Sequence, residues 1–236
     1  MRRWLWLLAF LPILPAGGGA GPWPREPGRT FLSLSVERDR DGNSHAGLYA
    51  EYGLTPRRTL GVEIGHTNVG ETGVLVWIQR ALDGGQGPHR LAFSLGAGVI
   101  GRGGEWLPVG QAAVGYGRGF EGPWHGGWFA AEAKLKLAGE TRNVVAGGGL
   151  TRTETTYLTP EAAAKVDLTL GLRPTESTML VGQLRLEDRR DADFSAKLAV
   201  SVVHDLAGPA KLEVGIVEPM SGAGERALKI GTWVEF

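Results

Sequence analysis

The sequence predicts an all-β chain, an antiparallel transmembrane β-barrel of about twelve strands, with about ten as the alternative count. Three observations carry this. Helical periodicity is nearly absent after residue 25, and strict alternation of apolar and polar residues takes its place. The apolar faces of these segments are almost free of charge, whereas the polar faces mix charge with glycine. After the amino-terminal residues, no apolar run approaches the roughly 18 residues a spanning helix needs.

Taken in order, alternation marks strands at 30–38 and 45–54, separated by Asp41-Gly42, a hairpin turn signal. Pro56 breaks the chain before 58–67, and 72–82 follows. Gly84 to Pro88 precedes 90–100, and 109–119 ends before Gly122-Pro123. The strands 126–138 and 160–172 come next, the second ending before Pro174. Then follow 177–187 and 193–204, Gly208-Pro209, 210–218 and finally 226–236. Pro and Gly punctuate strands because neither continues a ladder well. Residues 21–236 over twelve strands allow roughly 18 residues each, which suits strands of about 9–11 residues with short links.

The connections alternate in character. Those at 54–57, 84–88, 121–123, 173–176 and 207–209 are short and turn-like. Those at 38–44, 66–71, 101–107, 139–160, 187–193 and 218–225 are longer and more polar. An even strand count with both termini on the short-turn side follows. The longest connection, 139–160, has a part at 151–159 that suits two strands running on beyond the membrane.

Alternation alone fits either a membrane barrel or a soluble β-protein, which differ in the face turned inward. The polar faces decide it. Trp128, Ala130, Glu132, Lys134 and Lys136 oppose Phe129, Ala131, Ala133, Leu135 and Leu137. Lys165, Asp167, Thr169 and Gly171 oppose Val166, Leu168, Leu170 and Leu172. Glycine on an exposed outer face weakens a strand for no gain, whereas inside a small barrel it leaves room for curvature and long neighbours. The polar face therefore points inward and the apolar face toward lipid. Tyr52, Trp77, Tyr116, Phe120, Trp124, Trp233 and Phe236 gather toward the short-turn end, as an interfacial aromatic belt does, although Trp233 has the inward parity.

The last eight residues add a resemblance. Lys229, Gly231, Val234 and Phe236 match the constrained positions of the carboxy-terminal assembly signal of bacterial outer-membrane β-barrels, and the chain resembles that class in general. The resemblance implies an outer-membrane location in a Gram-negative bacterium, with the short turns periplasmic and the longer connections extracellular. It also implies the outer-membrane assembly machinery, outer-membrane lipid and lipopolysaccharide as partners.

The amino terminus agrees. Arg2 and Arg3 precede an apolar run over residues 4–14, and Gly18 and Ala20 stand where a leader peptidase cuts. The expected organisation is a signal peptide at 1–20, with cleavage after Ala16 as an alternative, a short periplasmic segment at 21–28 and one barrel domain at 29–236. The absence of cysteine excludes disulfides and a lipoprotein anchor. Balanced charge, 25 basic against 25 acidic residues, gives no support to nucleic-acid binding.

Few motifs carry chemistry. Gly96, Gly98 and Gly101 spell a dinucleotide fingerprint but lie within a strand with no following helix. Glu37, Asp39 and Asp41 begin a calcium-loop pattern, but Leu48 stands where its bidentate glutamate belongs. No cofactor or metal site is expected; Glu187, Asp188, Asp191 and Asp193 suit only loose divalent binding at a lipopolysaccharide surface. Ser35, His45 and Glu37 form a hydrolase trio on paper if the first two strands pair tightly, but no catalytic residue is assigned.

The inward charges are the best functional lead. By parity Glu51, Glu63, Glu132, Asp167, Glu213 and Glu235 line the lumen, with Lys134, Lys136, Lys165, Arg185, Lys197, Lys211 and Lys229. Two readings stand side by side. One is a narrow, weakly selective channel for small solutes or ions. The other is a non-conducting structural or surface-interaction barrel with its lumen closed by paired charges. An outer-membrane lipid hydrolase is the third.

Overall fold

A computed structural model describes residues 21–83, 88–122, 124–146, 153–189, 192–222 and 224–236. Twelve strands form one closed antiparallel barrel in which each strand pairs with its sequence neighbours. They are β1 (Thr30–Asp39), β2 (Ser44–Thr55), β3 (Arg58–Thr67), β4 (Thr72–Ala81), β5 (His89–Arg102) and β6 (Glu105–Phe120). The second half comprises β7 (Gly127–Ala146), β8 (Thr153–Thr175), β9 (Thr178–Arg189), β10 (Ala192–Asp205), β11 (Ala210–Ser221) and β12 (Ala227–Glu235).

The ladder between β1 and β12 closes the barrel, with Phe31 opposite Glu235 and Asp39 opposite Ala227. Just outside that ladder, the Thr30 N–H donates to the Phe236 carbonyl at 2.7 Å and the Phe236 N–H donates back at 3.0 Å. Closure leaves no free sheet edge, so no row of backbone donors and acceptors faces the membrane. Both termini lie at one end, here the terminal end; the other is the distal end.

The distal connections are shorter than the sequence suggested. β5 and β6 are joined by Gly103-Gly104 alone, both with positive φ, as a two-residue hairpin turn of this hand requires. β7 and β8 stay paired out to Ala146 opposite Thr153, so most of the 139–160 segment is strand, as its threonine-rich part implied. Glu187 and Asp188 likewise belong to β9, and Asp193 to β10. Residues read as loop are strand because the ladder keeps satisfying backbone groups after the apolar stripe has ended.

The outer surface is an apolar band. Leu34, Val36, Leu95, Leu135, Val200 and Ile230 are each about half exposed. A surface of this kind is stable against acyl chains, not water. At the terminal end Tyr52, Tyr116, Phe120, Trp124 and Phe236 are exposed and form an aromatic girdle. Trp77 departs from the expected belt. Its parity, shared with Leu75 and Gln79, turns it inward, where it is 7% exposed over Gly61.

Candidate functional site

The lumen has two layers. The terminal layer is a packed apolar cluster of Phe31, Trp128, Met179, Val203 and Trp233, with Trp23, Tyr49 and Val181 against it. Phe31 lies on β1 and Trp128 on β7, halfway round a twelve-strand ring, so the cluster spans the lumen. Phe31 meets Trp233 and Tyr49 edge-on, at ring separations of 6.0 and 6.3 Å. Wall glycines make this packing possible: the indole of Trp128 lies directly on Gly171, where any Cβ would collide with it.

Residues 21–27 complete that layer. They do not hang below the barrel. The Gly21 carbonyl accepts from Gln79 Nε2 on β4 at 3.3 Å, and fully buried Pro22 sits over Gly115 on β6. Arg25 pairs with Glu51 on β2 and with Glu235 on β12, and its backbone N–H donates to Thr59 Oγ1 on β3 at 2.9 Å. A segment that touches β2, β3, β4, β6 and β12 at once can only lie within the ring. A Cβ at Gly117 would stand 2.6 Å from Pro22 Cγ, and one at Gly53 would stand 2.6 Å from the Glu26 carbonyl carbon. The wall is shaped to receive the segment.

The distal layer is polar and partly solvated. Among the described residues, two ion pairs cross the lumen between strands that are not neighbours. Arg185 Nη1 on β9 donates to Glu37 Oε1 on β1 at 2.9 Å, and Lys136 Nζ on β7 lies 3.6 Å from Glu63 Oε1 on β3. Others run along the wall. Lys134 Nζ is 3.0 Å from Glu132 and 3.6 Å from Asp167. Lys165 Nζ is 2.9 Å from Glu187, which also pairs with Arg189.

Of the remaining charges read from parity, Lys229 Nζ lies 2.7 Å from Glu213, which is 2% exposed and accepts from Trp233 Nε1 at 3.0 Å. Gly231 stands beside that carboxylate, where a Cβ would come within 3.3 Å of Oε2. Lys211 pairs with Asp205 at 2.5 Å at the terminal rim. The Lys197 ammonium approaches the backbone at Gly224, beneath the turn between β11 and β12. Val234 and Phe236 belong to the outer parity of the last strand, and Phe236 is exposed.

The other motifs resolve into structure. Gly96, Gly98 and Gly101 all lie within β5, and a Cβ at Gly98 would collide with the backbone of β4. Asp39 caps the first hairpin: its carboxylate accepts from the Asn43 N–H and from Asn43 Nδ2, both at 2.8 Å. These hydrogen bonds, the Asn43 side chain's first, hold the Asp39 carboxyl below its ordinary range. Glu37 stands opposite His45 in the register, but its carboxylate is engaged by Arg185. Among the described residues neither Ser35 nor Glu37 hydrogen-bonds His45, so the trio lacks the proton relay a hydrolase needs. Residues 1–20, which carry the expected leader, lie outside the described residues.

Parity turns Tyr49 inward with Glu51 and Phe31 inward with Glu37, but it cannot show that they gather around Arg25, which precedes the first strand and has no parity. The signal that Arg25 enters the barrel was a cation two residues after Trp23, just ahead of the first strand, with an inward Glu51 to receive it.

A closed ring of meandering antiparallel strands, apolar outside and charged inside, with an aromatic girdle, is the architecture of outer-membrane-type β-barrels. No protein-family model matches the chain, and neither does any curated protein sequence. Solved structures do. A NanC porin superposes with a TM-score of 0.58 at 8% identity, covering 86% of this chain and 98% of the other. A KdgM porin gives 0.54 at 7%, covering 87% and 99%. The β domain of the Bordetella autotransporter BrkA gives 0.53 at 16%, covering 90% and 100%. At these identities the likeness is one of fold.

Proposed function

We propose that this barrel sits in the outer membrane of a Gram-negative bacterium, delivered by a signal peptide at 1–20, with its terminal end periplasmic. There it forms a narrow, weakly selective channel for small solutes or ions, closed at the periplasmic end in the state described. Outer-membrane lipid, lipopolysaccharide and the assembly machinery are its proposed partners. The carrying observation is the distal layer, a solvated vestibule crossed by Arg185–Glu37 and Lys136–Glu63. Its cations stand beside carboxylates, so no single-sign field builds up to select strongly. A KdgM porin of similar fold has been solved in complex with disordered oligogalacturonate. Here the inward lysines and arginines lie against acids, which supports small and weakly sorted solutes.

Purified protein in a planar bilayer tests the reading. Small steps with little preference between potassium and chloride are expected. A large and strongly selective conductance would contradict the matched lumen. The second reading, a non-conducting barrel, draws on the terminal layer, where Val203 is 0% exposed inside a cluster that bridges the ring. A bilayer that stays silent at every voltage would favour it.

A further inference from the structure

Arg25 is surrounded as a bound ligand would be. Its Nε donates to Glu51 Oε2, and its Nη1 lies 3.4 Å from Glu235 Oε1. Its Cζ stands 4.4 Å from the centroid of the Phe31 ring. The other Glu51 oxygen accepts from the Tyr49 hydroxyl at 2.5 Å, which fixes the carboxylate toward the guanidinium. Glu51 is 2% exposed. Carboxylates that accept from a fork of N–H donors, with an aromatic ring beneath it, recognise a guanidinium in preference to a compact ammonium.

The division of labour matters. Glu51, Glu235 and Phe31 belong to the barrel wall, on β2, β12 and β1, whereas the cation is carried on the short segment ahead of β1. A carboxylate buried without a cation must take up a proton, take up water or find another cation. Withdrawal of Arg25 therefore leaves a site on the wall that favours one. Below it the segment is held to the wall by few backbone bonds, among them Gly28 N–H to the Gly53 carbonyl at 2.8 Å and Gly53 N–H to the Arg29 carbonyl at 3.0 Å.

We infer that Glu51, Glu235 and Phe31 form a guanidinium-binding site at the terminal constriction, which Arg25 fills as a tethered ligand and a free guanidinium cation takes when Arg25 is absent. Removing the Arg25 side chain also leaves Glu51 and Glu235 uncompensated, which gives the lumen of that variant a preference for cations; that consequence rests on the channel reading, whereas binding does not.

Intrinsic tryptophan fluorescence of the full-length protein, folded in detergent, reads binding directly, because Trp233 packs on Phe31. The probe is guanidinium chloride at low millimolar concentration and constant ionic strength, with ammonium chloride as control. Arg25→Ala should give a saturable guanidinium response, and the wild type none, since its site is filled. Adding Glu51→Gln should weaken that response by roughly tenfold or more, the loss of a charge-assisted hydrogen bond. No response in Arg25→Ala, or one unchanged by Glu51→Gln or equalled by ammonium, would overturn the site. Should Arg25→Ala fail to fold, Arg25→Lys keeps the charge without the fork. Guanidinium should then compete with the lysine, and behaviour identical to wild type would count against the site.

Bilayer recordings separate the two readings. Cation-selective current in Arg25→Ala, blocked by guanidinium only while Glu51 is present, supports both. Binding without current leaves the site standing and sinks the channel. Current without binding overturns the site and leaves the channel.

Discussion

Arg185 and Glu37 join β9 and β1 at 2.9 Å, two strands that share no ladder and lie on different sides of the barrel. Their side chains are 28% and 19% exposed, so water screens the pair in part. Removing one partner leaves the other half-buried and uncompensated. Arg185→Ala should therefore cost about 1–2 kcal/mol, between the values for exposed and fully buried pairs. Replacing Glu37 by Gln as well should recover part of that cost. A double-mutant cycle on the temperature of gel-mobility change measures the coupling. Additive losses would show that the pair does not act as a strut.

The two faces of the wall should tolerate charge very differently. Leu135 is 48% exposed in the apolar band, so Leu135→Arg should cost on the order of 2–4 kcal/mol if it lies near the bilayer midplane. Ser35, on the inner face two residues before Glu37, looks into the solvated layer. Ser35→Lys there should change stability by about 0.5 kcal/mol or less. Urea unfolding in lipid vesicles compares them, and equal losses at the two sites would reverse the assignment of inside and outside.

Most of the barrel was legible because its signal is local. Period-two alternation needs only a strand and two environments, and it located all twelve strands, from Thr30–Asp39 to Ala227–Glu235. What depends on distance in space was not legible. Alternation says that Glu63 and Lys136 point inward; it cannot say that they meet across the lumen with three strands between them along the wall. Trp77 looked interfacial because aromatics near strand ends often are, whereas its parity and the gap at Gly61 place it inside. The segment 21–27 carries no alternation at all. Its position follows from Arg25 meeting Glu51 and from Pro22 and Trp23 meeting Gly115 and Gly117, long-range matches that have no period to read.

Phe236 should be needed for assembly. Its backbone exchanges hydrogen bonds with Thr30 at the closing seam, and its ring joins the exposed girdle. Deleting it removes both, together with the aromatic position of the assembly signal. Membrane-inserted, heat-modifiable protein should fall, with chain accumulating in the periplasm or degraded. Normal outer-membrane levels after deletion would show that closure through Glu235 alone suffices. Val234→Asp, which leaves the terminal ring in place, should reduce insertion as well.

Gly117 offers a way to expel the amino-terminal segment without touching its charges. A Cβ there would stand 2.6 Å from Pro22 Cγ and 2.7 Å from Trp23 Cζ3, too close for either ring to remain. The wall cannot yield, because Gly117 is fixed in register opposite Arg90 and Ala130. Gly117→Val should therefore push Pro22 and Trp23 toward the terminal opening. Arg25, 8% exposed when docked, should then become open to trypsin. Amino-terminal sequencing after limited digestion of the folded barrel reads this directly: the wild type should stay uncut after Arg25, and the variant should begin at Glu26. The barrel below the cut begins at Thr30 and keeps its closing ladder, so heat-modifiable migration should survive cleavage. If Gly117→Val is as resistant as the wild type while folded, the segment is not held by the fit of Pro22 and Trp23 to the glycine wall, and the Arg25 pairs alone retain it.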